Sequence, residues 1–515
     1  MKTFPCFSLP PLFGLEILRF FKILWISDHF QHGGGSGRNR ETRYTENIQQ
    51  PAFYVGSGCV SQTFCFFRKS GFPKTNSSNI PAYHPVSAPD YLPQKQLREL
   101  QSQRLQRMVK RAYENVELYR TRMTEKGITP DDIRTIDDIV KLPFTMKNDL
   151  RDTYPYGLFA SPLNEVVRLH ASSGTTGKPI VVGYTKEDVD VWDEVVARCL
   201  VGYGVTDADI VQVAYGYGLF TGGLGLHGGA SKLGCTVVPI SGGNTERQLM
   251  LMRDFHVTCV GCTPSYFVHI IDKALQMGID MREFPIKFGA FGAEPWSEEV
   301  RHYIEEQAGI KAFNIYGLSE ICGPGVGAEC CFQDGMHIFE DHFYPEIIDP
   351  ATGEALPDGT EGELVLSTLS KDAMPMLRYR TRDITTIDTE PCACGRTIRR
   401  IRPIRRRSDD MLIIRGVNVF PSQIETGILR VEGASPHFQI VLDKGPDGLD
   451  RIEVRVEATP DAVSDTVASV EQFQKKIQHS ISQIIGLSVK VTLVQPYTLG
   501  RSEGKMNRVV DNRNK

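Results

Sequence analysis

The spacing of apolar residues changes along the chain, and the changes divide it into regions. From Gln94 onward Leu97, Leu100, Leu105, Met108, Val109, Ala112 and Val116 follow an approximate helical stripe, so ordered structure is expected to begin near Gln94. From Thr185 short apolar runs alternate with helical stripes. Strands are predicted at 210–214, 236–240, 257–261, 286–291 and 312–315. Between them helices are predicted from Thr185 to Tyr203, and from Thr221, Thr245, Pro264 and Ser297. Thr185 with Asp188 reads as a capping box, and proline suits the first turn of a helix at position 264. Such alternation predicts an α/β fold with a largely parallel, doubly wound sheet, whose ligands bind at the carboxyl ends of the strands.

The pattern then turns to strand. Runs at 337–348 and 363–368, with turns at 349–353 and 357–359, predict a β-rich subdomain over about 335–405. The last hundred or so residues read as a separate α+β unit. The expected boundaries are a large N-terminal domain over 86–407 and a small C-terminal domain over 408–515. Residues 31–90 are rich in Gly, Ser, Asn and Pro, a composition that favours disorder. Residues 1–85 are therefore expected to be an extension outside the folded domains. Within the first 30 residues Glu16, Arg19 and Lys22 interrupt every apolar run, short of the roughly 18 residues a membrane span needs.

Composition narrows the partners more than the chemistry. At 515 residues the chain has room for two or three domains of roughly 100–200 residues each. A net charge of −4 gives no basic excess for nucleic acid or an acidic membrane, so neither partner is expected. The basic run at 399–407 is expected to be solvated or phosphate-facing. Twelve cysteines lack the dense, regular spacing of a secreted scaffold, which favours a reducing cytoplasm.

The segment Ser172-Ser-Gly-Thr-Thr-Gly-Lys-Pro179 carries the strongest chemical signal. It packs two glycines, four hydroxyls and one lysine into eight residues. Glycines let backbone N–H groups approach phosphate oxygens, and lysine adds a mobile positive charge. It is not a Walker A loop, because two residues rather than four separate its glycines and Pro179 stands where Ser or Thr would hold Mg²⁺. Its flanks at 166–170 and 180–184 read as strands, whereas a Walker A loop opens a helix.

Other candidates fall at strand ends. In Phe291-Gly-Ala-Glu-Pro-Trp296, small residues permit flat contact with a nucleobase and Glu294 can accept from an amine. In Tyr316-Gly-Leu-Ser-Glu320, the tyrosine can stack on a ring and Glu320 can ligate Mg²⁺, a hard cation suited to carboxylates. Asp383 ends Tyr379-Arg-Thr-Arg-Asp383 and has two oxygens for two ribose hydroxyls. Arg407-Ser-Asp-Asp410 lies at the expected domain junction, and Lys505 lies in a small polar loop.

These segments, in this order, resemble the adenylate-forming superfamily of acyl-CoA synthetases and luciferases. From about Leu97 to Val510 the chain is most similar to the phenylacetate–CoA ligase family. That likeness is most specific in His170-Ala-Ser-Ser-Gly-Thr-Thr-Gly-Lys-Pro179, Tyr215-Gly-Tyr-Gly-Leu-Phe-Thr-Gly-Gly-Leu-Gly225, Thr263-Pro-Ser-Tyr266, Gly292-Ala-Glu-Pro-Trp296, Tyr316-Gly-Leu-Ser-Glu-Ile321, Arg378-Tyr-Arg-Thr-Arg-Asp383 and Asp409-Asp-Met-Leu-Ile-Ile-Arg-Gly-Val-Asn-Val-Phe-Pro-Ser-Gln423. The resemblance implies the adenylate-forming fold with a mobile C-terminal domain, and ligation of an aryl acid to coenzyme A through an acyl-adenylate. It implies ATP/AMP contacts by Ser172, Ser173, Gly174, Thr175, Thr176, Gly177, Lys178, Gly292, Ala293, Glu294, Pro295, Tyr316, Gly317, Asp383 and Arg407. It further implies Mg²⁺ at Glu320, a catalytic lysine at Lys505 and a hinge at Asp409. Coenzyme A would meet Arg415 and Gly416, and Tyr215, Phe220 and Gly222 would line the aryl pocket. A homodimer is expected from the family alone. One departure is Arg406, where the family usually has glycine.

Two other readings stay open on the residues: an adenylyl-transferring relative that makes no thioester, and a non-catalytic nucleotide-binding protein. A structural zinc is not favoured. Cys330, Cys331 and His337 form one group and Cys392 and Cys394 another, neither with C-x₂-C spacing, although these ligands would suit zinc if the fold joined them. Cys259 and Cys262 have that spacing but lie on a predicted buried strand, where cysteine behaves as a small hydrophobe.

Overall fold

A computed structural model describes residues 81–172, 179–404, 406–407, 412–415, 417–445, 449–458, 467–500 and 508–513. The chain divides into units 1–71 and 72–515, and all described residues belong to the second. The expected extension at 1–85 thus lies almost wholly outside the described residues. Order begins before Gln94, with a 3₁₀ turn at Pro85–Tyr91 followed by the helix Gln94–Asn115.

The α/β alternation expected from the sequence is present. Strands Thr236–Val238, Ile210–Val213, Cys259–Cys262, Phe288–Gly292 and Lys311–Leu318 lie side by side, each pair parallel. The helix Lys186–Tyr203 starts at the expected capping box, where Asp188 N–H donates to Thr185 Oγ1 at 3.1 Å and Thr185 N–H donates to Asp188 Oδ2 at 2.9 Å. It packs against the glycine-rich helix Thr221–Leu233. That approach requires glycine at 225, where a Cβ would lie 2.5 Å from the Trp192 ring.

The β-rich region is not a separate sheet. Among the described residues one thirteen-stranded sheet continues from Lys311–Leu318 through Cys322–Ala328, Met336–Ile338, Arg400–Ile401, Tyr379–Asp388, Glu361–Thr368 and Phe343–Ile348 to Ala355–Leu356. The strand expected at 337–348 is broken, because the chain turns between Ile338 and Phe343, with His342 N–H donating to Phe339 O at 2.9 Å. The connecting strands are very short, and this shapes the site below.

C-terminal residues form an α+β unit with its own core. Its sheet runs Lys490–Val494, Asp450–Ala458, Ala434–Lys444, Val509–Asp511. Helices Pro421–Leu429 and Val467–Ile485 cover it, with Ile424, Ile428, Phe438, Ile477 and Ile481 buried together. No described helix is long and apolar enough to cross a membrane.

A buried ion-pair network ties the 3₁₀ turn to the core. Asp90 accepts from Arg198 at 2.5 Å and from Arg396 at 3.0 Å, and Arg198 also pairs with Asp341 at 2.9 Å. Burial alone would raise the Asp341 pKa, but Arg198 and His342 outweigh it and hold the carboxyl well below its usual range. Removing one partner strands a buried guanidinium. Asp90→Ala is therefore expected to cost about 3–5 kcal/mol of stability, read from the urea midpoint; an unchanged midpoint would refute the role given to this network.

Candidate active site

The turns that follow the parallel strands carry the candidate residues. Tyr215 follows Ile210–Val213, Gly292 ends Phe288–Gly292, and Tyr316 and Gly317 close Lys311–Leu318. Ser172 ends the strand Val166–Ser172, which pairs antiparallel with Ile180–Thr185. The candidate phosphate-binding segment is thus flanked by two hairpin strands, as expected, while Ser173, Gly174, Thr175, Thr176, Gly177 and Lys178 themselves lie outside the described residues. So do Asp409, Gly416 and Lys505.

Glu320 sits in a tight turn, Leu318 pairing with Cys322 across it. Its carboxylate is buried and accepts a hydrogen bond from Tyr379 Oη at 2.5 Å. Lys371 fixes the same turn from below, with Nζ donating to Glu320 O at 2.9 Å and Ile321 O at 3.1 Å. Its ammonium lies 4.4 Å from the centre of the Tyr184 ring.

Asp383 lies four residues beyond Tyr379 on the same strand. Its Oδ2 accepts from Tyr316 Oη at 2.6 Å, and its Oδ1 lies 3.3 Å from Arg407. In sheet order the Tyr316 and Asp383 strands stand four steps apart, which would separate them by about 19 Å in a flat sheet. Contact is possible because the intervening strands Arg400–Ile401 and Met336–Ile338 are short, so the two halves of the sheet converge. Glu320, Tyr379, Asp383, Tyr316 and Arg407 therefore form one cluster. Burial first, then Asp383, pushes the Tyr316 phenol well above its ordinary pKa, so it remains a donor.

The turn after Gly292 is strained. Ala293 has φ of 72°, a left-handed conformation that costs a non-glycine residue about 1 kcal/mol or more. A side chain at 292 would overlap the Ile315 carbonyl. Glu294 Oε1 accepts the Ser265 N–H at 2.9 Å, so one of its oxygens is held by the start of helix Pro264–Gln276, and Pro295 is exposed beside it.

Tyr215 is buried and Phe220 is 41% exposed, with ring centres 6.4 Å apart. Gly222 opens the next helix, and a Cβ there would overlap the Phe220 ring. Arg415 is the turn of the hairpin Leu412–Ile414/Val417–Val419, and its Nε donates to Asp450 O at 2.8 Å.

The basic run was expected to be solvated or phosphate-facing; Arg402 is exposed, while the other described arginines of the run are half-buried or buried and paired with carboxylates. Arg399 pairs with Glu340 and Asp358, Arg400 with Asp334 and Asp388, and Arg407 with Asp383. Arg406 pairs with Glu361, and its guanidinium lies 5.3 Å from the centre of the Phe420 ring. Carboxylates of the chain itself thus pair with the described arginines of this run. Sequence reading passed over two residues here. Tyr379 stood inside a motif read for its aspartate, while Lys371 has no local signal, because only the fold aims it at the turn.

Residues 141–370 match the family model for AMP-binding enzymes, and residues 416–513 match the AMP-binding enzyme C-terminal domain. The chain is 53% identical over 426 residues to a phenylacetate–coenzyme A ligase of Aromatoleum evansii, covering 82% of this chain and 96% of that one. A phenylacetate–coenzyme A ligase of Escherichia coli K12 is 49% identical over 421 residues, covering 81% and 95%. Among solved structures, 2-hydroxyisobutyryl-CoA ligase in its postadenylation state superposes with a TM-score of 0.79 at 27% identity, covering 84% of this chain and 94% of that one. The same ligase in its thioesterification state gives 0.61 at 28% identity, covering 83% and 92%.

Burial lowers the Lys371 pKa from 10.5 to about 8. Between those values the unfolded chain holds a proton that the folded chain has released, so this group makes stability rise with pH across that window. Lys371→Met should remove that rise, measured as the change in urea midpoint between about pH 8 and pH 10. An equal rise in the variant would assign the effect elsewhere.

Proposed function

The chain belongs to the phenylacetate–CoA ligase family of AMP-binding enzymes, and we propose that it ligates an aryl acid, phenylacetate first among candidates, to coenzyme A. The observation that carries this reading is the Glu320–Tyr379–Asp383–Tyr316–Arg407 cluster at the strand ends, in a chain about half identical to curated CoA ligases over most of its length. Those relatives disfavour an enzyme that stops at the adenylate, and the retained carboxylates disfavour a non-catalytic protein.

In the first step a carboxylate oxygen of the acid attacks the α-phosphorus of ATP. The bond to the β-phosphate oxygen breaks, and diphosphate leaves. In the second the coenzyme A sulfur attacks the acyl carbon as the thiol proton departs. A C–S bond forms, the C–O bond to phosphate breaks, and AMP leaves. Both reactants of the first step are anions, so the site must supply donors and positive charge where negative charge gathers. Ser172 through Lys178 would bind the β- and γ-phosphates, and Lys505 would bridge the acid and the α-phosphate. Asp383 would take the ribose hydroxyls, oriented by Tyr316 and Arg407. The turn from Gly292 to Pro295, with Gly317, would meet adenine. Mg²⁺ fits Glu320, a carboxylate anchored through one oxygen by Tyr379, and would supply charge neutralisation for the triphosphate.

Asp409 would be the hinge between domains 86–407 and 408–515, and Arg415 with Gly416 would present coenzyme A to the adenylate. Arg406 beside that hinge contacts Glu361 and Phe420, contacts that glycine could not make. Tyr215, Phe220 and Gly222 would flank the aryl ring, since flat aromatic walls suit a flat substrate. The same reading makes the enzyme a cytoplasmic homodimer.

The deciding experiment measures AMP and thioester together for a panel of aryl and fatty acids. Both products, strongest with phenylacetate, are expected; AMP without thioester would sink the ligase reading. Lys505→Ala should slow adenylation roughly 10²–10³-fold while leaving thioester formation from supplied acyl-adenylate nearly intact. Gly222→Ala should displace Phe220 and raise KM for phenylacetate on the order of tenfold with ATP binding unchanged, and an unaltered KM would remove these residues from the pocket.

A further inference from the structure

Far along the chain from the phosphate loop, the fold joins two cysteine groups that the sequence kept apart. Cys330 follows the strand Cys322–Ala328, and His337 lies on Met336–Ile338. Cys392 and Cys394 lie in the loop between Tyr379–Asp388 and Arg400–Ile401. One ligand atom from each of the four residues lies within 4.8 Å of all the others, and all four residues are buried.

The separations match a metal centre better than the alternatives. Cys330 Sγ and Cys392 Sγ are 3.6 Å apart, and Cys394 Sγ and His337 Nε2 are 3.4 Å apart. A tetrahedron with Zn–S of about 2.3 Å and Zn–N of about 2.0 Å has edges of about 3.8 Å between sulfurs and about 3.5 Å between sulfur and nitrogen. A disulfide would need about 2.05 Å. Nor is this an ordinary apolar packing cluster. The three cysteines form a group of their own, apart from the large cores.

Local structure aims the ligands inward. Gly395 N–H donates to Cys392 O at 3.0 Å, closing a turn that brings Cys392 and Cys394 to one side, and Gly395 takes φ of 81°, which glycine allows. Gln333 N–H donates to Cys330 O at 2.9 Å and closes a similar turn. His337 Nδ1 lies 3.4 Å from Ile398 O, a partner that leaves Nε2 facing the cysteines as a ligand. Three thiolates and a divalent ion leave one negative charge, and Arg396 interacts with Cys394 while its Nε donates to Asp90 at 3.0 Å.

We infer that Cys330, His337, Cys392 and Cys394 bind one structural Zn²⁺ ion, which clamps the loop at 389–399 to the two short strands that join the halves of the sheet. A closed set of four protein ligands leaves no position for substrate, which assigns the ion to the fold and not to the ligase chemistry. Cys331, grouped with this set in the sequence, is outside it and only half-buried.

Elemental analysis tests this on the full chain, dialysed thoroughly into metal-free buffer. About one equivalent of zinc per chain is expected, and less than a tenth of an equivalent overturns the inference. Cys392→Ser and Cys394→Ser should each lose the metal, while Cys331→Ser should keep it; the reverse pattern overturns the ligand set. Should the serine variants fail to fold, the wild-type chain produced with Co²⁺ replacing zinc provides the second readout. Thiolate-to-cobalt charge transfer with intense tetrahedral ligand-field bands is expected, and their absence counts against the site. A mass consistent with a Cys330–Cys392 disulfide would also overturn it. None of these readouts depends on ligase activity.

Discussion

The proposed nucleotide site depends on two buried carboxylates being held in place by phenols. Glu320 and Asp383 come from distant parts of the chain, and Tyr379 and Tyr316 each donate to one of them. A buried carboxylate with no donor would be driven toward its neutral form, useless for a cation or for a ribose. Tyr379 and Asp383 share one strand, so any shift of that strand moves both anchors together.

That dependence explains why the joint of the sheet matters. Tyr316 reaches Asp383 because strands of two and three residues let the sheet turn its halves toward each other. Strands this short offer few ladder hydrogen bonds, so other interactions must hold the joint. Carboxylates saturate the arginines from 399 to 402, and Asp90 links Arg396 to Arg198 in the core. The proposed zinc centre would act at the same place. Charge is used here for position more than for binding. A lone buried ion pair is weak evidence of stability, but a network with every member paired specifies one arrangement.

Phe220 and the glycine-rich helix show a related economy. Gly225 lets the helix lie against Trp192, and Gly222 leaves room for the Phe220 ring. One run of small residues therefore sets both contacts.

Much was legible in the chain itself. The βα alternation, the capping box at Thr185 and the two strands that flank residues 173–178 follow from local rules of period and capping, which act within a few residues. The candidate residues Glu320, Asp383 and Tyr316 could be singled out because each lies in a short motif in or beside a strand. The donors Tyr379 and Lys371, the paired arginines and the Cys330–His337–Cys392–Cys394 cluster could not. Each depends on residues that the fold brings together from separate segments, such as Lys371 on Glu320 and Cys330 beside Cys392. Periodicity carries no information about such pairs, since a buried carboxylate, phenol or thiol acquires its partner only when the sheet closes. The sequence alone determined the layers and the chemistry available; the tertiary structure decided which charges are paired, because burial makes pairing obligatory and only the folded chain says what is buried.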